Sequence, residues 1–330
     1  MRKKLVIISI ILDLGAIFCL LLAYGPIDNF RNWFITTASG SWHHSYFSHV
    51  LYSDSQINEV LSKNQIFEVQ GVTDTSLITF DNEDKGIYES IYDEQVLKRD
   101  EGNDLYKVIN LKGEKGDTYK TGYILVVYDP SRIKLYNSPK LKSGGQMLTT
   151  MAKESGAIAA VNASGFKRNK TTGALSPNGT LIIDGKLYAD LGGSLVGFNN
   201  DNVLVLTKES ASDAIQNGMK NAVSFEPFLI VNGEASTFTG NFGGKRPRTA
   251  IGQRKDGIVL FVVIDGNSSG TEGIEMQDLT NIFIRYGAYN AANLDGGGSS
   301  ALVVNNKLIN SPKGFGYSGE RYLINAFIVK

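Results

Sequence analysis

One cysteine, Cys19, occurs in 330 residues, so neither an intrachain disulfide nor a thiolate metal site is available. A hydrophobic core must hold the fold by itself, which a chain of this length can bury. Histidine is nearly as scarce: His43, His44 and His49 are the only three. Chemistry carried beyond residue 49 therefore runs without imidazole. The cluster lacks a strong ligand spacing and has Asp54 as its one acidic neighbour, leaving a metal site and a surface linker helix as its two readings. Excess charge of either sign is absent too, with 33 Lys+Arg against 33 Asp+Glu. That removes the electrostatic case for a nucleic-acid partner. Proline is sparse at 7 residues and glycine plentiful at 36, which suits short strands joined by many turns.

What is present begins with a membrane address. Arg2, Lys3 and Lys4 precede an apolar run from Leu5 to Tyr24, about 20 residues and so about the length of a bilayer core. The run predicts one N-terminal transmembrane helix: a signal anchor over residues 1–24 that contacts the membrane through 5–24. The basic flank puts everything after Gly25-Pro26 outside, as a single-pass protein of the cell membrane with an extracytoplasmic domain. Asp13 is a tolerated polar residue or a contact for a partner helix. A cleaved signal peptide is the alternative.

Residues 25–103 read as a juxtamembrane helical and acidic connector. Ile27 to Ala38 is amphipathic and flanked by Trp33 and Trp42, which favour the membrane interface. Ser55 to Asn64 predicts a short helix capped by Ser53 or Asp54, with Ile57, Val60 and Leu61 on one face. Between Asp81 and Asp104 stand nine acids and three bases, the pattern of a solvated connector.

Residues 104–330 form the main domain. Leu105–Leu111 and Tyr123–Tyr128 predict a hairpin, and Asp184-Gly185, Asn232-Gly233 and Asp256-Gly257 mark further ones. Gln146–Glu154 and Gln277–Tyr286 have helical spacing. Ala157–Asn162 is a short buried strand, Leu302–Ile309 folds back at Asn305-Asn306, and Tyr322–Val329 is a last, internal strand. The fold class is α+β, with mixed or antiparallel sheets and a few helices. Gly314 to Gly319 matches G-x-G-x-x-G, but no helix follows, so no nucleotide cofactor is expected; the segment reads as a mobile loop over the active site.

The run Asn293-Leu294-Asp295-Gly296-Gly297-Gly298-Ser299-Ser300 carries the most chemistry. Three glycines fit a sharp bend or a close approach to a ligand, and successive N–H groups with serine hydroxyls can hold an anion. A flexible loop with an ordinary Asp turn is the plainer reading. Upstream lie Asn162-Ala163-Ser164-Gly165-Phe166, Arg246-Pro247-Arg248-Thr249-Ala250-Ile251-Gly252 and Asp265-Gly266; downstream lies Gly319-Glu320-Arg321.

Taken in this order, the segments resemble the phosphodiester glycosidase family over roughly residues 104–330. Two departures stand out. Asn162-Ala163-Ser164-Gly165-Phe166 replaces the family's frequent Asn-Gly-Gly-Phe-Phe, and Asn267 follows Asp265-Gly266 where the family often has arginine. The resemblance implies a cell-surface hydrolase that cleaves the anomeric bond of a sugar-1-phosphodiester, or of a phosphate-containing polysaccharide such as an exopolysaccharide. Cleaving C1–O builds an oxocarbenium-like cation and releases a phosphate monoester, so a cationic clamp and a carboxylate matter more than a strong acid.

Arg248 and Arg321 are the clamp candidates. Asp295, Asp265 and Glu320 are the candidate carboxylates, Asp295 first. The plainer roles are a strand-end turn for Asp265 and an ion pair holding Arg321 for Glu320. Asn162, Ser164, Thr249, Gly296, Gly297, Gly298, Ser299 and Ser300 complete the substrate-binding set, with Asn162 contacting a sugar hydroxyl or holding its own turn. No cofactor is expected; a carboxylate-bound divalent cation stays open. A non-catalytic glycan-binding module is the competing class, and a Ser299 hydrolase would need a base that the domain lacks.

Overall fold

A computed structural model describes residues 2–39, 45–240, 242–266, 272–314 and 317–330. The chain separates into two compact units, one of Met1–Ile66 with Phe238–Gly244 and one of Phe67–Thr237 with Lys245–Lys330.

The first unit is helical. Its helices are Arg2–Tyr24, Asp28–Ser39, Ser45–Leu51 and Asp54–Ser62. The last is closed by a capping box: Ser53 receives the Gln56 N–H while the Gln56 side chain receives that of Ser53. Ile35, Tyr52, Ile57 and Val60 form its small core. No single helix among the described residues is long and apolar enough to cross a membrane; only Ile10–Tyr24 and Asp28–Ser39 together pass that test, bent by 78°. The expected single straight span is thus not reproduced. Of the histidines, His43 and His44 lie outside the described residues, as does Trp42, and His49 faces Asp54 at 3.0 Å.

The second unit holds three larger antiparallel sheets and a few helices, the architecture expected from the turn signals. The seven-stranded sheet runs Glu234–Ala235, Phe228–Val231, Ala288–Leu294, Arg248–Arg254, Val259–Ile264, Thr121–Val127, Tyr106–Lys112. One five-stranded sheet runs Lys307–Leu308, Leu302–Val304, Ala159–Asn162, Asn325–Val329, Ile133–Asn137. The other comprises Leu204–Thr207, Leu195–Asn199, Met219–Ser224, Leu181–Ile183 and Lys186–Ala189. Inward side chains of all three, among them Leu125, Val161, Val196, Phe261 and Phe327, make one core. The final strand is internal, as expected, between Ala159–Asn162 and Ile133–Asn137.

Turn chemistry explains the hairpins. Asp184, Asn232, Asn305 and Asn306 all take positive φ, a conformation that Asn and Asp tolerate better than most residues. Helix Met276–Arg285 packs Phe283 against the Arg248 strand, where a side chain at Gly252 would come within 2.7 Å of that ring. The last glycine of the Pro-Arg-Thr-Ala-Ile-Gly motif is therefore a packing requirement.

The acidic connector is not a solvated linker. Residues from Phe67 onward belong to the second unit, so the compact body begins well before residue 104. Ser90 caps a helix over Ile91–Leu97 that buries Val96. Asp93 pairs with Arg254 at 2.7 Å, both largely buried. Glu68 accepts the Phe228 N–H at 2.8 Å. Net acidity hid a few specific long-range partners that only the folded chain supplies.

Candidate active site

The site forms where two sheets end together. In the seven-stranded sheet Arg248 opens its strand opposite Ile264, and Thr249 stands opposite Leu294. Asp295 follows directly. In the neighbouring sheet Asn162 closes its strand opposite Ala326. Ser164, Ser300 and Arg321 lie just beyond the same edge.

Asn162 ties the two edges together. Its Nδ2 donates to the Asp295 carbonyl, and its Oδ1 accepts from Thr249 Oγ1 at 2.9 Å and from the Ala301 N–H at 3.0 Å. Both residues are buried. The structure thus moves Asn162 and Thr249 from sugar contact to framework. Ser164 moves with them: its N–H and hydroxyl both donate to Asn325 Oδ1, at 3.0 and 2.9 Å. Asn162 thus uses both ends of its buried amide within the fold, whereas Asn325 leaves its Nδ2 without a hydrogen bond.

The other two carboxylates are also committed. Glu320 accepts from the Thr149 N–H at 2.9 Å and the Thr149 hydroxyl at 2.7 Å, so it caps the helix Leu148–Ser155. Neither a catalytic role nor an ion pair with Arg321 is what holds it. Asp265 accepts from Asn310 Nδ2 at 2.8 Å and from the Ser311 N–H at 3.1 Å, fastening a turn at its strand end. Asn267 lies outside the described residues.

Asp295 is different. Its N–H donates to the Ala163 carbonyl at 3.0 Å, fixing the backbone, while the residue keeps part of its surface open. Loss of hydration among tightly packed neighbours pushes its carboxyl up to about 6. The Ser299 hydroxyl, the Arg321 charge and the Gly296 N–H pull the other way, favouring the ionised form. Arg321 reaches Ser299 Oγ at 3.5 Å and lies 4.7 Å from the centre of the Phe166 ring, a cation–π distance.

The glycine run is built against Pro247. The Gly297 N–H donates to the Pro247 carbonyl at 2.8 Å, and a Cβ at Gly296 would meet that oxygen at 2.9 Å. Gly297 itself has φ +60°. The N–H groups of Ser299 and Ser300 bond back to Gly296 and Gly297 in a single 3-10 turn. The expected row of free N–H donors for an anion is thus largely consumed within the loop. Ser300 is buried, and the three glycines stay half-buried.

Two arginines adjoin the loop. Arg248 is 9% exposed, and burial first, then the Arg246 charge, pushes its guanidinium down to about 10. Arg246 is lowered by burial as well. The two arginines stand two residues apart on one segment, next to the Pro247 carbonyl that receives the Gly297 N–H. Arg246 and Phe166 were missing from the residues chosen from sequence. For Arg246 a signal existed: two residues from Arg248 on an extended segment puts both on one side. Phe166 closes the Asn162–Phe166 motif, but its contact with Arg321 is made across the fold and is not legible along the chain.

A family model described as phosphodiester glycosidase matches residues 155–330, more than half of the chain. The chain belongs to the phosphodiester glycosidase family. Two curated relatives fit that placement. The SPbeta prophage-derived uncharacterized protein YomE of Bacillus subtilis is 32% identical over 50% of this chain. The bovine N-acetylglucosamine-1-phosphodiester alpha-N-acetylglucosaminidase is 29% identical over 49%. The chain spans only 27% and 34% of the lengths of these two relatives. Among solved structures, the catalytic domain of the zebrafish N-acetylglucosamine-1-phosphodiester alpha-N-acetylglucosaminidase, auto-inhibited by its pro-peptide, aligns with a TM-score of 0.56 at 21% identity. It covers 70% of this chain and 85% of that one. A hypothetical protein from Synechocystis aligns at 0.51 and 14% identity, over 68% and 62%. These likenesses show a shared fold. The matched region includes Asp295, Arg246, Arg248 and Arg321.

Proposed function

We propose that this protein hydrolyses the anomeric bond of a sugar-1-phosphodiester, with Asp295 as the catalytic carboxylate. The observation that carries the reading is the state of Asp295. Of the three candidate carboxylates it alone is neither capping a helix nor fastening a turn, and it sits part-open beside Arg321 at the meeting of two sheet ends. In the reaction the C1–O bond breaks, the electron pair leaves with the phosphate oxygen, a water oxygen bonds to C1, and the water's surplus proton passes to the departing phosphate or to solvent. The ionised Asp295 stabilises the cation that develops at C1. Arg246, Arg248 and Arg321 hold the phosphate as its charge rises, the term that usually dominates such catalysis. Phosphate monoester is a good leaving group, so the absence of histidine from the second unit is no obstacle.

The test is a panel of glycosyl phosphodiesters incubated with the wild type and with Asp295→Asn. Wild type should release free sugar and phosphate monoester, and the variant should bind the diester yet release none. Binding without release by the wild type would make the chain a glycan-binding module.

We also place this activity at the outer face of the cell membrane. The basic Arg2, Lys3 and Lys4, followed by a helix whose Ile10, Ile11, Leu14, Ile17, Phe18 and Leu21 are all exposed, support an anchor. Protease added to intact cells should then release the catalytic unit; a wholly secreted product with a new N-terminus near residue 25 would replace the anchor by a signal peptide.

A further inference from the structure

We infer that the second unit carries a separate binding site, a cleft for a neutral glycan at the end of the seven-stranded sheet away from Asp295. The open cleft measures about 320 Å³, and Phe80, Pro130, Asp129, Ser131, Asp201 and Asn202 are among its lining residues. That volume suits a small ligand. The strand Arg248–Arg254 places it. Arg248 stands at the Asp295 edge, and Arg254 ends the same strand about 20 Å away, the reach of seven extended residues. The turn that follows Arg254 supports the cleft. A Cβ at Gly257 would come within 2.5 Å of the Phe80 ring, so that ring lies on the turn. Buried Gln253 donates to the carbonyls of Asn202 and Gly257 at 3.2 and 3.1 Å, and Asn82 Nδ2 donates to the Tyr128 carbonyl at 2.9 Å. The walls are therefore tied to the sheet. Nothing in this placement depends on the hydrolysis proposed above.

The lining chemistry selects the ligand. Phe80 is 50% exposed and offers a ring. Asp129 spends one carboxylate oxygen on the Ser131 N–H at 2.9 Å. Among the described residues, the Asp201 carboxylate, the Asn202 amide and the Ser131 hydroxyl make no hydrogen bond or ion pair. Lys134 and Arg99 touch the lining at the Ser131 carbonyl and at Asn82 Oδ1, but neither lines the cleft itself. Two carboxylates with no lining cation repel an anion such as a phosphate. A wholly apolar ligand would strip water from both carboxylates and return no hydrogen bond. A sugar ring meets both demands. Its hydroxyls donate to Asp129 and Asp201 and exchange hydrogen bonds with Asn202 and Ser131, while its C–H face covers Phe80.

The experiment uses the full chain in a polyoxyethylene detergent, which carries no sugar. Saturation-transfer NMR is run against neutral tetrasaccharides of glucose, mannose and galactose, with wild type, Asp201→Asn, Phe80→Ala, Phe80→Tyr and Asp295→Asn. At least one tetrasaccharide should bind wild type. Asp201→Asn and Phe80→Ala should each weaken it by about tenfold, the size of one charge-assisted or stacking contact. Phe80→Tyr keeps the ring and should retain binding, as should Asp295→Asn. Asp201 has no partner to lose, so its variant should keep the wild-type melting temperature and report on the ligand alone. Binding lost only in Asp295→Asn would move the sugar to the other end of the sheet and overturn the inference. So would the absence of binding by all three sugars. Calcium or tetramethylammonium bound in their place, and lost in Asp201→Asn, would make the cleft a cation site and refute the glycan. Turnover is not read, so these outcomes stand whether or not the chain hydrolyses a phosphodiester.

Discussion

Asp295 combines openness with a raised proton affinity, and the sign of its effects follows. Its folded-state value near 6 exceeds the ordinary carboxylate value of 3.8, so the ionised form is penalised in the fold. That penalty is fully present above about pH 6 and is relieved as pH falls toward 4. Asp295→Asn should therefore raise the melting temperature at pH 8, by on the order of 2 kcal/mol of stability, and leave it nearly unchanged at pH 4. Equal shifts at both pH values would show that the carboxyl is not destabilising. Because the charge is what acts on C1, kcat/KM should fall as pH drops through about 6. Ser299→Ala removes a hydrogen bond that favours the charged form, so it should move this limb to higher pH while keeping turnover. Loss of all turnover in that variant, with a covalent adduct on Ser299 in the wild type, would make Ser299 the nucleophile. Arg248→Lys keeps the charge but loses the fork, and should raise KM for the diester.

At the scale of elements, the proposed mechanism puts the glycine turn in the site and the capped helix in the framework. Gly296→Ala would drive a methyl against the Pro247 carbonyl, and the displaced turn should cost about 1–3 kcal/mol along with most activity. Gly297→Ala meets no neighbouring atom and bears only the strain of its positive φ, so it should be milder. Glu320→Ala strips the cap from helix Leu148–Ser155, a loss of about 1 kcal/mol or more. Calorimetry should show the lower melting point, and turnover measured well below it should stay within a few-fold of wild type. A loss of several orders of magnitude would return Glu320 to the catalytic set. The short elements were largely legible from sequence, because Asp-Gly, Asn-Gly and Asn-Asn turns act locally. The helix over Ile91–Leu97 was not, because its one buried residue, Val96, finds its partners far along the chain.

For the whole molecule, the second unit needs its acidic leader. Tyr128 donates to the Val96 carbonyl at 3.0 Å, Asp93 pairs with Arg254, and Thr73 holds the Leu206 N–H at 3.0 Å. A fragment over 104–330 leaves Arg254 with Asp256 as its remaining counter-charge at 2.8 Å and uncovers the core beneath these contacts. The lost hydrogen bonds and burial are large against a domain's marginal stability. Near-UV circular dichroism should show a native signal for 67–330 and a weak one for 104–330. Equal spectra would restore the boundary at residue 103.

The sequence by itself determined the sheets, the turns and the family, since alternation, turn residues and ordered motifs are read along the chain. It also put Asp295 first among the candidate carboxylates, on the strength of the adjoining Gly296 and Ser299, while its contacts with Asn162, Ala163 and Arg321 exist only in the fold. Only the tertiary structure decided which polar residues are free to act. Asn162, Ser164, Thr249, Asp265 and Glu320 all looked available, and each is spent on a partner between 45 and 171 residues away. A polar side chain's role depends on whether its hydrogen bonds are already made, and burial and partners exist only once distant strands have been brought to one edge.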